Sequence, residues 1–268
     1  MGQPMTVGKD QIVSAVEVSM GRLCAVLRSA PDPDQSAVGT WTVRDVGAHL
    51  AGGIPVYTGI VRGEPSPYSR LDRIVETNAG FVAALAERDC RVLADRIAAA
   101  SGEFAAAVRA VPGDPEVTWH AGLRLPLSTV CTLMLGEALV HGYDIARACG
   151  QPWPIPGAHA RLVSTGAASV LPHFVNEAAS AGVRAVIDIH LRGEERARVR
   201  LAFADGALRV SSEPAGSADC HIWADPATFL LLMYGRVSPL RAALSGKAVA
   251  WGAKPWLAFT LPRLIRRV

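Results

Sequence analysis

The chain has 268 residues, of which 50% are hydrophobic and 19% charged, a balance that supports one large or two ordinary globular domains and excludes a disordered chain. A formal net charge of +3 over that length, with Lys and Arg gathering only at the extreme C-terminus, argues against nucleic acid as a partner. Cys24, Cys90, Cys131, Cys149 and Cys220 are odd in number, scattered, and include no Cys-x-x-Cys pair. They read as small core residues in a reducing compartment, not as a disulfide framework or a thiolate metal site.

Residues 1–10 carry no apolar signal core, and no uncharged run reaches the roughly 18 residues that span a bilayer, so a cytoplasmic location is expected. From Asp10 to about Arg28, Ile12, Val13, Val16, Met20, Leu23, Val26 and Leu27 fall at helical spacing, and Pro31-Asp32-Pro33-Asp34 stops the helix. The next helix begins at a well-marked point. Thr42 can cap it, Asp45 holds the reciprocal capping-box position, and Trp41 with Val46 can form a hydrophobic staple. It runs towards Arg62, with Gly52, Gly53 and Pro55 as places to bend or interrupt. A third helical stretch covers about Asp72 to Val111 with a break expected near Asp89, and Pro112-Gly113-Asp114-Pro115 ends it.

The segment Val130 to Ile145 then reads as a helix buried nearly all round, yet it contains Glu137, His141 and Asp144. Glu137 and His141 are one turn apart, Asp144 is on the next turn, and all share a stripe with Val130, Leu133 and Met134. Burying a carboxylate costs several kcal/mol without compensation, so a Glu and a His at this spacing on a core face imply a shared cation. A third ligand must come from another helix. His49, two turns inside the helix capped by Thr42, is the best candidate, and two imidazoles with one carboxylate are the donor set of a catalytic zinc with an open position. Asp144 reads as the partner that orients His141 through its other nitrogen. Four substantial helices with moderate loops predict an antiparallel bundle, a fold that builds metal sites from inward side chains.

After Pro152 to Pro156, one more helix is expected over about Gly157 to Val175. From Arg184 the period changes to two. Ile187, Ile189 and Leu191 alternate with Asp188, His190 and Arg192; after a turn at Gly193-Glu194-Glu195, Val199, Leu201 and Phe203 alternate with Arg198, Arg200 and Ala202. This predicts a hairpin with one wet face. Asp205-Gly206 turns the chain into a strand at Leu208-Arg209-Val210, Cys220 to Trp223 supply another, and Asp225-Pro226 starts a helix through Met233. The division is therefore an all-α bundle over residues 1–178 and a small α+β domain over 179–268.

The segments Trp41 to Leu50 and Gly136 to Ala148 resemble the two signature stretches of the mycothiol-dependent maleylpyruvate isomerase family, whose metal domain is a DinB-like four-helix bundle. Ala218 to Pro239, with Gly246-Lys247, resembles the sterol-carrier-protein type of domain often fused to it. The resemblance implies a divalent metal, usually zinc, on His49, Glu137 and His141, and mycothiol as thiol cosubstrate. It implies thiolate addition to the double bond of maleylpyruvate, rotation, and elimination to fumarylpyruvate. A mycothiol S-transferase acting on another electrophile is the enzymatic alternative. A lipid or small-molecule binding module with a structural metal is the non-enzymatic one.

A dicarboxylate substrate would need a cation, and Arg236, in Tyr234-Gly235-Arg236 after a predicted helix, is the residue expected to reach across the domain interface to it. Asp45 reads as a cap, and His120 as a loop histidine, with pocket lining as its alternative. His159, His173, His190 and His221 show no partner spacing. The basic, apolar tail Pro255 to Arg267 reads as a terminal helix that covers the sheet.

Overall fold

A computed structural model describes residues 7–193, 197–212 and 216–266. Residues 1–6, Glu194 and Glu195 of the expected turn, and Arg267 of the tail lie outside the described residues. The chain divides into two units, Met1–Pro154 and Ile155–Val268.

In the first unit, α1 (Lys9–Arg28) leads through a short antiparallel pair, β1 (Ser36–Val38) and β2 (Trp41–Thr42), to α2 (Val43–Val61). Then come α3 (Ile74–Ala84), α4 (Cys90–Ala110), the hairpin β3 (Glu116–Thr118) and β4 (Arg124–Pro126), and α5 (Leu127–Ala148). Helices α1 and α2 each pack on both α4 and α5, which closes a four-helix ring, and α3 lies against α2. Of the apolar positions read in α1, Ile12, Val13, Val16, Met20, Leu23 and Leu27 are buried, and Val26 is half-buried. The long third stretch divides near Asp89, whose carboxylate caps α4 by accepting from the Arg91 backbone N–H at 2.8 Å.

The capping box of α2 is formed in full. Asp45 N–H donates to Thr42 Oγ1 at 3.4 Å, and Thr42 N–H donates to the Asp45 carboxylate at 3.0 Å. The helix then runs on through Gly52, Gly53 and Pro55, the places read as able to bend or interrupt it, as one uninterrupted element. Proline removes one N–H from the ladder, but Ile54, Tyr57 and Ile60 are buried on either side of it and hold the helix to the bundle.

The second unit holds α6 (Gly157–Val170), α7 (Glu177–Ser180), β5 (Arg184–Leu191), β6 (Ala197–Ala204), β7 (Ala207–Ser211), β8 (Cys220–Ala224), α8 (Pro226–Met233), α9 (Pro239–Leu244), β9 (Ala248–Trp251) and α10 (Leu257–Leu264). The sheet order is β7-β6-β5-β8-β9, with β5 and β8 parallel and the other pairs antiparallel. Ile187, Ile189, Leu191, Val199, Leu201 and Phe203 face one core, which Ala168 of α6 and Leu257 and Leu264 of α10 complete. Helix α6 packs on α8 and β6, so it belongs to this unit, whereas the boundary read at residue 178 places it in the first. The opposite face of the β5–β6 hairpin is less wet than its alternation suggests. Asp188 and Arg200 pair there at 6% and 8% exposure. Among the described residues, no helix is long and apolar enough to cross a membrane.

Gly142 in α5 follows His141 directly, and a Cβ there would collide with the indole of Trp153. That ring lies across the helix, donates from Nε1 to the Leu139 carbonyl at 3.0 Å, and carries the Arg22 guanidinium 4.3 Å above it. Replacing an exposed helical glycine by alanine stabilises by about 1 kcal/mol. Gly142→Ala is expected to do the opposite and cost about 1–3 kcal/mol, the usual penalty of overpacking. Chemical denaturation with tryptophan fluorescence measures it, and a stabilised variant would show that Trp153 does not seat on Gly142.

Candidate metal centre

Two helices supply the donors. Helix α2, fixed at its start by the capping box, carries His49 at 6% exposure, and α5 carries Glu137 and His141 one turn apart. One oxygen of Glu137 lies 3.3 Å from His49 Nε2 and 3.3 Å from His141 Nε2. The three donor atoms lie within 4.8 Å of one another. Asp144, 1% exposed, stands on the far side of His141, with a carboxylate oxygen 3.2 Å from Nδ1. The structure thus brings His49, Glu137 and His141 together and places Asp144 behind His141.

The spacing bears on what the cluster can hold. N–H···O bonds usually measure about 2.7–3.2 Å. Donors on the corners of a tetrahedron with bonds of about 2.0–2.1 Å stand about 3.3 Å apart, which matches both contacts to Glu137. A proton of His141 on Nδ1, given to Asp144, leaves the Nε2 lone pair facing a carboxylate oxygen. That meeting point requires a positive charge, either a second proton or a metal ion. The residues therefore fit a divalent metal with three protein ligands. Side-chain exposure of 8% for His49, 12% for His141 and 30% for Glu137 puts the open side of the cluster at the carboxylate.

The electrostatics are consistent with this demand. Burial raises the Glu137 carboxyl, but hydrogen bonding to His141 and His49 outweighs it and holds the group below the usual carboxylate range. Burial lowers both imidazoles; at His49 it prevails, while at His141 the flanking Asp144 and Glu137 reverse it and push the pKa up. The Nδ1 of His49 is buried without a hydrogen-bond partner among the described residues, and the Trp41 ring lies 5.0 Å from the imidazole, centre to centre.

An aromatic group lies within the field of Glu137. His120 is 4% exposed, stacks on Trp119 at 4.2 Å, meets the Tyr68 ring at 4.1 Å with a tilt of 33°, and its Nδ1 is 2.7 Å from Ser66 Oγ. Tyr68 donates its hydroxyl to Asn78 at 2.6 Å, and burial, then the Glu137 charge, raise its pKa. The Trp119-His120 pair was visible in the sequence as a loop dipeptide. Nothing in the spacing of Ser66 and Tyr68 connects them to it. Arg236 lies in the second unit, just past α8, where its guanidinium donates to the Tyr234 carbonyl at 2.7 Å.

The family model described as Mycothiol maleylpyruvate isomerase N-terminal domain matches residues 13–146, half of the chain, and the chain belongs to that family. The model of the SCP-2 sterol transfer family matches residues 171–252. Among solved structures, a mycothiol-dependent maleylpyruvate isomerase is 15% identical, with a TM-score of 0.57 over 91% of this chain and 93% of its own. A histidine-to-alanine mutant of that enzyme is 14% identical, with a TM-score of 0.58 over the same shares of 91% and 93%. At these identities the likeness is one of fold. The search of curated proteins gives no match.

Burial lowers the His120 pKa to about 4, against the opposing pull of Glu137. Histidine in an unfolded chain titrates near 6.5, so the unfolded state takes up the proton first as pH falls. Stability is therefore lost between about pH 6.5 and about pH 4, and a difference of about 2.5 units corresponds to about 3 kcal/mol. Between pH 7 and pH 4 the wild type should lose about 3 kcal/mol more than His120→Gln in urea titrations. Parallel profiles would show that the fold does not hold this imidazole neutral.

Proposed function

We propose that this member of the mycothiol maleylpyruvate isomerase N-terminal domain family is a metal-dependent enzyme that uses mycothiol as a nucleophile, and that its reaction is cis–trans isomerisation of a maleylpyruvate-like dicarboxylate. The observation that carries the reading is the convergence of His49 Nε2, His141 Nε2 and one Glu137 oxygen, with only the carboxylate side open. The thiol and the substrate class come from the solved enzyme that shares the fold.

His49, Glu137 and His141 would hold the ion, for which their donor set favours zinc, and when bound it supplies a Lewis acid that keeps a thiol as thiolate near neutral pH. The chain's own residues hold the geometry. Asp144 accepts from His141 Nδ1 and keeps Nε2 directed at Glu137. The Thr42–Asp45 box fixes the start of the helix that carries His49. In the isomerisation, the thiolate sulfur bonds to one alkene carbon as the π pair moves onto the conjugated carbonyl oxygen. The former double bond rotates; the pair returns, the carbon–sulfur bond breaks, and the thiolate leaves with its electrons. Neither proton nor electron is consumed. Arg236 is the residue we assign to a substrate carboxylate.

A second reading concerns the second unit, where a cavity of about 570 Å³ is lined by Ile189, Leu201, Ile222, Phe229, Leu261 and Ile265 among others. Its lining and the family match of this unit favour binding of an apolar small molecule there. Displacement of a fluorescent fatty acid, weakened by Ile222→Asp, is the corresponding test.

Zinc-loaded protein should convert maleylpyruvate to the trans isomer only when mycothiol is present, and mycothiol should be recovered unchanged. A thioether that accumulates would assign transfer to an electrophile instead, and turnover without any thiol would remove the proposal. Metal content should fall from about one ion per first unit to none there in His49→Ala, Glu137→Gln and His141→Ala. Arg236→Ala should keep its metal while losing about 2–5 kcal/mol of transition-state binding, on the order of 30-fold or more in kcat/KM, if the contact is desolvated.

A further inference from the structure

Two histidines without any partner spacing in the sequence meet on the sheet of the second unit. Strands β5 and β8 run parallel with Asp188 beside His221 and His190 beside Trp223, and β9 places Trp251 beside His221. Asp188 and His190 are two apart on β5, so both lie on the face opposite Ile187 and Ile189. There His190 Nε2 stands 3.4 Å from His221 Nδ1, and His221 Nδ1 stands 3.9 Å from an Asp188 oxygen. All three donor atoms lie within 4.8 Å of one another. The Trp251 ring stacks over both imidazoles, at 5.3 Å and 16° to His221 and at 6.0 Å and 20° to His190. Arg200 grips Asp188 through Nε and Nη2, each at 2.7 Å, and fixes the carboxylate in place.

We propose that His190 and His221, with Asp188 as a weaker third donor, form a second metal site, selective for imidazole-preferring divalent transition ions of the nickel, copper and zinc group. Two facing imidazole nitrogens can share one proton, but 3.4 Å is long for that bond. It is close to the separation of about 3.3 Å that two nitrogens adopt on one ion at about 2.0–2.1 Å. Burial, then Arg198 and His221, lower the His190 pKa, which favours the neutral ring a metal requires. The parallel Trp251 ring covers both imidazoles on one side and leaves their facing nitrogens in the plane between them. The single carboxylate is already neutralised by Arg200, which disfavours magnesium and calcium because they need several oxygens. Affinity should therefore be led by the two imidazoles and lie below that of the His49, Glu137 and His141 cluster.

Calorimetric titration of the chelator-stripped, full-length protein with Ni²⁺ is the test, in a His141→Ala background that disables the first cluster. One Ni²⁺ should still bind there, and His190→Gln or His221→Gln added to that background should weaken it at least tenfold. Copper loaded into the same background should show electron-spin coupling to two imidazole nitrogens, reduced to one by either second substitution. In a chain with an intact first cluster, His190→Gln should leave the tighter binding event unchanged, which separates failure here from failure of the first assignment. No Ni²⁺ bound by His141→Ala, or binding indifferent to both His190→Gln and His221→Gln, would overturn the proposal.

Discussion

A carboxylate held among packed helices dominates the first unit. Withdrawing most of Glu137 from water carries a desolvation cost that no single apolar contact around it returns, even with one side of the carboxylate open. Two imidazoles meet the same oxygen, and one of them leans on a second carboxylate, Asp144. Neutral imidazoles with two carboxylates leave the cluster with two negative charges. A divalent cation cancels that charge completely, whereas protonation of His141 cancels only half of it.

For the ion proposed above, donors held in place beforehand spare the cost of ordering them on binding. Each sits on a long helix, and both helices are fixed close to the site. The Thr42–Asp45 box secures one end of α2, and Trp153 seats across α5 at Gly142, the residue after His141. The proline inside α2 is tolerated for the same reason: its neighbours Ile54 and Tyr57 are buried, so packing compensates for the missing ladder bond. Helix-mounted ligands lose little freedom on binding, whereas ligands on a loop would have to be ordered by the ion itself.

Much of this was legible because it is written in local patterns. The capping box depends on two residues three apart, and the polar stripe on α5 on residues three and four apart. Choosing His49 as the third candidate donor went further, because it matched a histidine two turns inside a well-capped helix to a demand arising on another helix. The limits are physical as well. Whether a helix belongs to the bundle or to the sheet unit depends on what covers it, and nothing within Gly157–Val170 encodes that its partners are α8 and β6. The meeting of His120 with Tyr68 and Ser66 is set by loops, whose path has no period to read. Asp188 and Arg200 looked like wet-face residues by alternation; their mutual pairing is what allows both to be buried.

The two histidine–carboxylate clusters show how the surroundings, more than the ligand atoms, set what a site can do. Both place two imidazole nitrogens and a carboxylate oxygen within 4.8 Å. In the bundle, a second carboxylate lies behind one histidine, so the charge of an ion is compensated. On the sheet, Asp188 is already spent on Arg200, and Arg198 stands across from His190 in the strand register, so an ion there brings charge that little opposes. Coulomb interactions at a partly exposed sheet face are also weakened by water, at an effective dielectric well above that between buried helices. The first arrangement favours tight retention of an ion with one side left open for a ligand. The second favours exchange, with an occupancy that follows the free ion concentration, so the two clusters would respond differently to the same change in metal supply.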